Sequence, residues 1–129
     1  MKTFLVFGNP LVEQDSIALR IIPKLKERFP CYEFRDTDPT ENLEHFGKDL
    51  WIIDVIHNSD KILLIDNLNK IEETRVSSMH DFDLTLNLKL LLKTKKISSF
   101  KIIGISWNMK EDEAVEGVSE MIKKMPSRI

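Results

Sequence analysis

TFLVFGNPLVEQDSIALR, residues 3–20, holds the transition that decides the fold. Residues 3–7 are apolar and rich in β-formers, so they predict a first strand. A Gly-Asn-Pro turn follows. From Asp15 onward the apolar positions Ile17, Ala18, Ile21, Ile22, Leu25 and Phe29 are spaced by threes and fours. That spacing lays one stripe along a helix, and Asp15 stands where an N-cap is wanted. Pro23 removes one backbone bond and predicts a kink inside this helix, and Pro30 follows its last turn.

Outward from this unit the pattern alternates. Residues 31–35, CYEFR, read as a second strand, with Cys31 a small buried hydrophobe at its start. Residues 36–47 read as a polar loop. Residues 48–57 read as a short helix with Leu50 and Ile53 inward. The run KILLIDNL, 61–68, has four apolar residues in a row before Asp66 and reads as the most buried strand, since a continuous run suits a strand covered on both faces. Residues 73–78 suggest an edge strand. FDLTLNLKLLLK, 82–93, is read as a helix because leucine favours helices and Thr85 is its one β-branched residue. Leu86 and Leu90 then fall on its outer side, in deep burial or at a partner surface. Residues 99–106, SFKIIGIS, give the last strand, and 112–125 a C-terminal helix. This alternation implies an α/β protein, a three-layer α/β/α sandwich around a mostly parallel sheet, built as one domain over residues 1–129.

Composition narrows the class. The chain has 129 residues, 42% apolar and 31% charged, with a net charge of -2 and a pI near 5.9. No basic field is present to hold nucleic acid. Lys93, Lys95 and Lys96 read as a solubilising helix end. No apolar run reaches the length of a membrane span, so no membrane insertion is expected. MKTFLVFGNP lacks an A-x-A-like cleavage site and reads as a strand rather than a signal peptide. Cys31 is the single cysteine, which excludes an internal disulfide and a thiolate cluster. Together these features suggest a cytoplasmic protein, monomeric or weakly self-associating.

The chemistry then rests on three residues. In open α/β sheets ligands bind at the carboxyl ends of the strands. Asp15 follows the first strand, Asp66 ends the strand read as most buried, and His80 follows the next. Two carboxylates and an imidazole suit a divalent ion with positions left for water or substrate. Each also has a plain structural role: an N-cap for Asp15, a turn residue for Asp66, a loop or cap position for His80. His45 and His57 are weaker candidates, and Trp107 reads as a packing residue at the rim. The chain lacks G-x-x-x-x-G-K-[ST], G-x-G-x-x-G, G-x-S-x-G and H-E-x-x-H, which removes the usual phosphate loops, the nucleophile elbow and the zincin helix.

Four blocks, GNPLVEQD, LLIDNL, SSMHDFDLTLNLKLL and KIIGISW, resemble in order those of the hydrogenase maturation endopeptidases. The resemblance implies an α/β/α sandwich that removes the C-terminal extension of a nickel-iron hydrogenase large-subunit precursor. It also implies that nickel arrives with the substrate, that no organic cofactor is used, and that Asp15, Asp66 and His80 contact the metal, Asp66 acting as the catalytic carboxylate. The sequence departs from the family at Gln14, where an acid is usual, and at Ser16 and Ala18, where glycines are usual. These departures motivate an alternative, a binding protein or regulator that checks the metal without cutting. A receiver-like domain phosphorylated at Asp66 is a third reading, but it wants an acidic pair where Gly8 and Asn9 stand.

Overall fold

A computed structural model describes residues 2–8, 16–38, 41–57, 59–74 and 79–125, without the side chains of residues 72–74 and 79–83. The strands are β1 (Lys2–Val6), β2 (Tyr32–Asp36), β3 (Asp49–Ile56), β4 (Leu63–Ile65) and β5 (Ser99–Ser106). The helices are α1 (Ile17–Arg20), α2 (Ile22–Arg28), α3 (Leu68–Thr74), α4 (Met79–Lys93) and α5 (Glu111–Lys124). A 3-10 turn spans Leu43–Phe46. The sheet order is β2-β1-β3-β5-β4. Four strands run parallel, and β4 alone runs antiparallel, on β5.

Helices cover both faces of the sheet. On one face Phe4, Val6, Ile53 and Ile105 meet Ile17, Ala18 and Leu25 of α1 and α2, and Val115, Val118 and Ile122 of α5. On the other, Leu5, Ile52, Ile56 and Ile102 meet Leu84, Leu88 and Leu91 of α4. The three-layer sandwich expected from the sequence is therefore present. Three exposed ion pairs, Arg20–Glu111, Lys24–Asp112 and Arg28–Glu116, lace α1 and α2 to α5 at 2.9, 3.3 and 2.6 Å.

Several local expectations are corrected. Residues 49–56 form the central strand, not a helix. Leu50 and Ile53 have helical spacing, but Trp51, Ile52, Ile53, Val55 and Ile56 are β-formers, and every residue from Leu50 to Ile56 is buried. The strand expected over 61–68 shortens to β4, an edge strand whose Leu63 and Leu64 are only half-buried. Its run is apolar because Leu64 packs on one core and Leu63 and Ile65 on the other. Residues 68–74 are helical, where 73–78 suggested a strand, and 75–78 lie outside the described residues. The break at Pro23 separates α1 from α2, with the proline in the first turn of α2, where its missing N–H costs nothing. Cys31 is exposed rather than buried, because it precedes β2 at the surface.

The C-terminus of α4 is closed by Lys95 in the left-handed region, φ 62°. The Lys96 N–H donates to the Leu91 carbonyl at 2.9 Å and the Lys95 N–H to the Leu92 carbonyl at 3.2 Å, the bond pattern of a Schellman cap. Glycine is the residue that adopts this conformation without steric cost. Lys95→Gly is expected to raise stability by about 0.5–1 kcal/mol, read as a higher urea midpoint at unchanged slope; a lower midpoint contradicts this account of the cap.

Candidate functional site

The parallel strands define two unlike edges. At the carboxyl edge β1 pairs with β3 only as far as Val6↔Ile53, and the Phe7 N–H still donates to the Ile53 carbonyl at 2.9 Å. The chain therefore leaves β1 beside Asp54. β3 and β5 continue to Ile56↔Ser106. A shallow step results, with Asp54 at the end of β1 and the longer central strands beyond it.

Asp54 is the buried acid of this sheet, 8% exposed. Its Oδ1 accepts the Val55 N–H at 2.8 Å. Strand alternation puts it on the face of Ile52 and Ile56, the face that carries α4. A carboxylate is placed in such surroundings at considerable cost unless it is hydrogen-bonded or meets a cation. α4 is joined by the short segment 94–98 to the start of β5. Its last turn thus lies at the amino edge, and its first turn, holding His80, lies toward the carboxyl edge. The His80 side chain lies outside the described residues, as do Gln14 and Asp15.

Asp66 occupies the other edge. Because β4 is antiparallel, with Leu63↔Gly104 and Ile65↔Ile102, its carboxyl end points toward the start of β5. Asp66 is level with Lys101, about 17 Å along the sheet from Ser106. It is exposed, accepts from Asn67 Nδ2 at 3.2 Å, and borders a surface cavity of about 430 Å³ with Asn67, Leu92, Ser99 and Phe100. The expectation that it shares one edge with the loop after β1 is corrected on this ground: strand direction, not sequence order, decides which end faces the crevice. Among the described residues no three His, Cys, Asp or Glu side chains come together as a metal-holding group.

Asp54 was missed because its segment was read as a helix. The signal was present: LWIIDV, 50–55, is an apolar run with an aspartate, just as LLIDNL is. Two of the three family departures have visible structural roles. Ala18 is fully buried in the core beneath α1 and α5, and Ser16 Oγ accepts from Arg20 Nε at 3.1 Å.

These features match known folds. No protein-family model matches the sequence, and no curated protein sequence does. Among solved structures, the hydrogenase maturating endopeptidase HybD from E. coli superposes with a TM-score of 0.65 at 15% identity, over 96% of this chain and 93% of that one. The two share a fold. An uncharacterized protein from Wolinella succinogenes superposes with a TM-score of 0.60 at 17% identity, covering 95% of this chain and 96% of its own. Both likenesses extend over nearly the whole of this chain. No helix among the described residues is long and apolar enough to cross a membrane.

The amino edge carries a structural cluster. Burial alone raises the Asp49 pKa, but the Ser99 hydroxyl at 2.6 Å, Lys101 at 3.5 Å, Lys2 and the Trp51 indole N–H at 3.1 Å outweigh it, and the net shift is downward. A lowered carboxylate pKa contributes stability that is present above the unfolded value, about 3.9, and lost as pH falls through the folded value. Asp49→Asn is therefore expected to flatten the loss of stability below about pH 4 in thermal unfolding; an acid limb identical to wild type contradicts the assignment.

Proposed function

We propose that this protein is an endopeptidase that removes the C-terminal extension of a nickel-loaded hydrogenase large-subunit precursor, with Asp54 as its central carboxylate. The observation that carries the reading is Asp54 itself, a buried acid beside the end of β1 and on the face of α4. The blocks GNPLVEQD, SSMHDFDLTLNLKLL and KIIGISW and the shared fold agree with it, while LLIDNL gives way to LWIIDV. The nickel belongs to the precursor and is read as part of the substrate, so no organic cofactor enters.

Asp15 and His80 remain the proposed further contacts to that metal. Asp15 belongs to the segment that joins β1 to α1, and His80 to the first turn of α4. The first of these segments begins where the chain leaves β1 beside Asp54, and α4 begins toward the same edge. A carboxylate accepts up to about four hydrogen bonds or metal contacts. It can hold a metal that polarises the scissile carbonyl, and it can take the proton of an attacking water. Proton transfer of this kind contributes typically about 10²–10⁴-fold in rate.

Of the two readings on this fold, cleavage is favoured over a metal check without cutting. The departures at Gln14, Ser16 and Ala18 motivated the second; Ala18 is packed in the core, Ser16 is bonded to Arg20, and Gln14 lies outside the described residues. The burial of Ala18 in the core accounts for one of these departures without a change in the reacting centre.

The test is cleavage of a nickel-loaded precursor by purified protein, followed by mass spectrometry. Asp54→Asn is expected to lower the rate by at least about 10²-fold while the fold, read by circular dichroism, is kept. Asp66→Asn is expected to cut at close to the wild-type rate. Normal processing by Asp54→Asn, or loss of processing in Asp66→Asn alone, rejects this assignment.

A further inference from the structure

We propose that His57 and Trp107 form a binding platform for a planar side chain (an aromatic ring, imidazole or guanidinium) of the polypeptide that enters the carboxyl edge. For its natural ligand the proposal rests on the peptidase reading; its chemistry stands on the rings themselves.

β3 and β5 end together at Ile56↔Ser106. The Trp107 N–H then donates to the Ile56 carbonyl at 3.0 Å. This continues the parallel register by one step and sets the next two side chains side by side. Their rings stack, with centroids 5.5 Å apart and planes 18° from parallel. The chain around them is tied down. The Ser106 hydroxyl, fully buried, has one proton to share between the Ser59 carbonyl and Asn108 Oδ1, both at 2.8 Å. Ser59 lies on the segment leaving β3 and Asn108 on the segment leaving β5, so one hydroxyl fastens both exits.

Trp107 nevertheless stays 39% exposed, and it is the aromatic among the exposed large hydrophobics of the described residues. A ring backed by an imidazole and fixed by its own backbone is preorganised, which lowers the entropy cost of binding. Indole faces attract flat π systems and cations beyond what contact area gives.

The position also fixes which residue is read. His57 lies just past the end of β3, three residues and about 10 Å beyond Asp54, and strand alternation puts the two side chains on opposite faces of the sheet. An extended peptide advances about 3.3–3.6 Å per residue. The platform therefore meets a side chain at least about three residues from the bond presented to Asp54, across the carboxyl edge, and it sets specificity rather than performing the chemistry.

The experiment uses protein labelled with 5-fluorotryptophan. It carries two fluorine signals, from buried Trp51 and from Trp107, assigned with Trp107→Phe. The probes are the blocked tripeptides acetyl-Ala-Arg-Ala-amide, acetyl-Ala-Phe-Ala-amide and acetyl-Ala-Leu-Ala-amide. The Arg and Phe peptides are expected to shift the Trp107 signal saturably, about fivefold more tightly than the Leu peptide, while the Trp51 signal stays still. His57→Ala is expected to weaken both, with an unmoved Trp51 signal reporting the intact fold. Equal response to all three peptides, or no saturable shift, overturns the platform. Because no cleavage is needed, the two readings fail separately: a shift without processing leaves the platform and removes the peptidase, and processing without a shift does the reverse.

Discussion

The burial of β3 on both faces is the constraint on which the structure depends. Leu50 to Ile56 are all buried, and β1 and β5 pair with this strand on its two sides. Helices must then cover both faces, and parallel neighbours require crossovers, so α1, α2, α4 and α5 follow from it. Burial at roughly 25 cal/mol per Å² of apolar area makes such a strand the main stabilising element. A single aspartate inside it is costly, and it stands where the neighbouring strand stops. That coincidence separates Asp54 from the exposed acids of the surface.

The antiparallel β4 is the second determinant. It caps β5 and sends the chain back toward the amino edge, where Asp66 meets Ser99 and Phe100. The same edge holds the cluster of Asp49, Ser99, Lys101 and Trp51, which anchors the starts of β3 and β5. The molecule thus divides its polar groups: an anchored amino edge, and a carboxyl edge with a buried acid and an exposed stacked ring.

Much of this was legible in the residues. β1, β2, β5 and the stripes of α4 and α5 follow from apolar period and composition, and the α/β class follows from their order. The central strand was not, because DLWIIDVI satisfies helical spacing at Leu50, Ile53 and Ile56 while its β-branched side chains argue for a strand. That single error moved the candidate acid. LWIIDV and KILLID are alike as apolar runs with an aspartate, and only strand direction, a property of the whole sheet, tells which aspartate faces the crevice. The pairing of His57 with Trp107 was illegible for the same reason: fifty residues apart, they become neighbours only through the register of β3 on β5.

The central claim is that Asp54, not Asp66, is the carboxylate of the metal-contacting crevice. Isothermal titration calorimetry of the protein with Ni²⁺ and Cd²⁺ tests it most directly, comparing wild type with Asp54→Asn and Asp66→Asn. The account predicts binding near one equivalent that Asp54→Asn weakens at least about tenfold, a difference of about 1.4 kcal/mol, and that Asp66→Asn leaves unchanged. Weakening by Asp66→Asn with full binding by Asp54→Asn would contradict it.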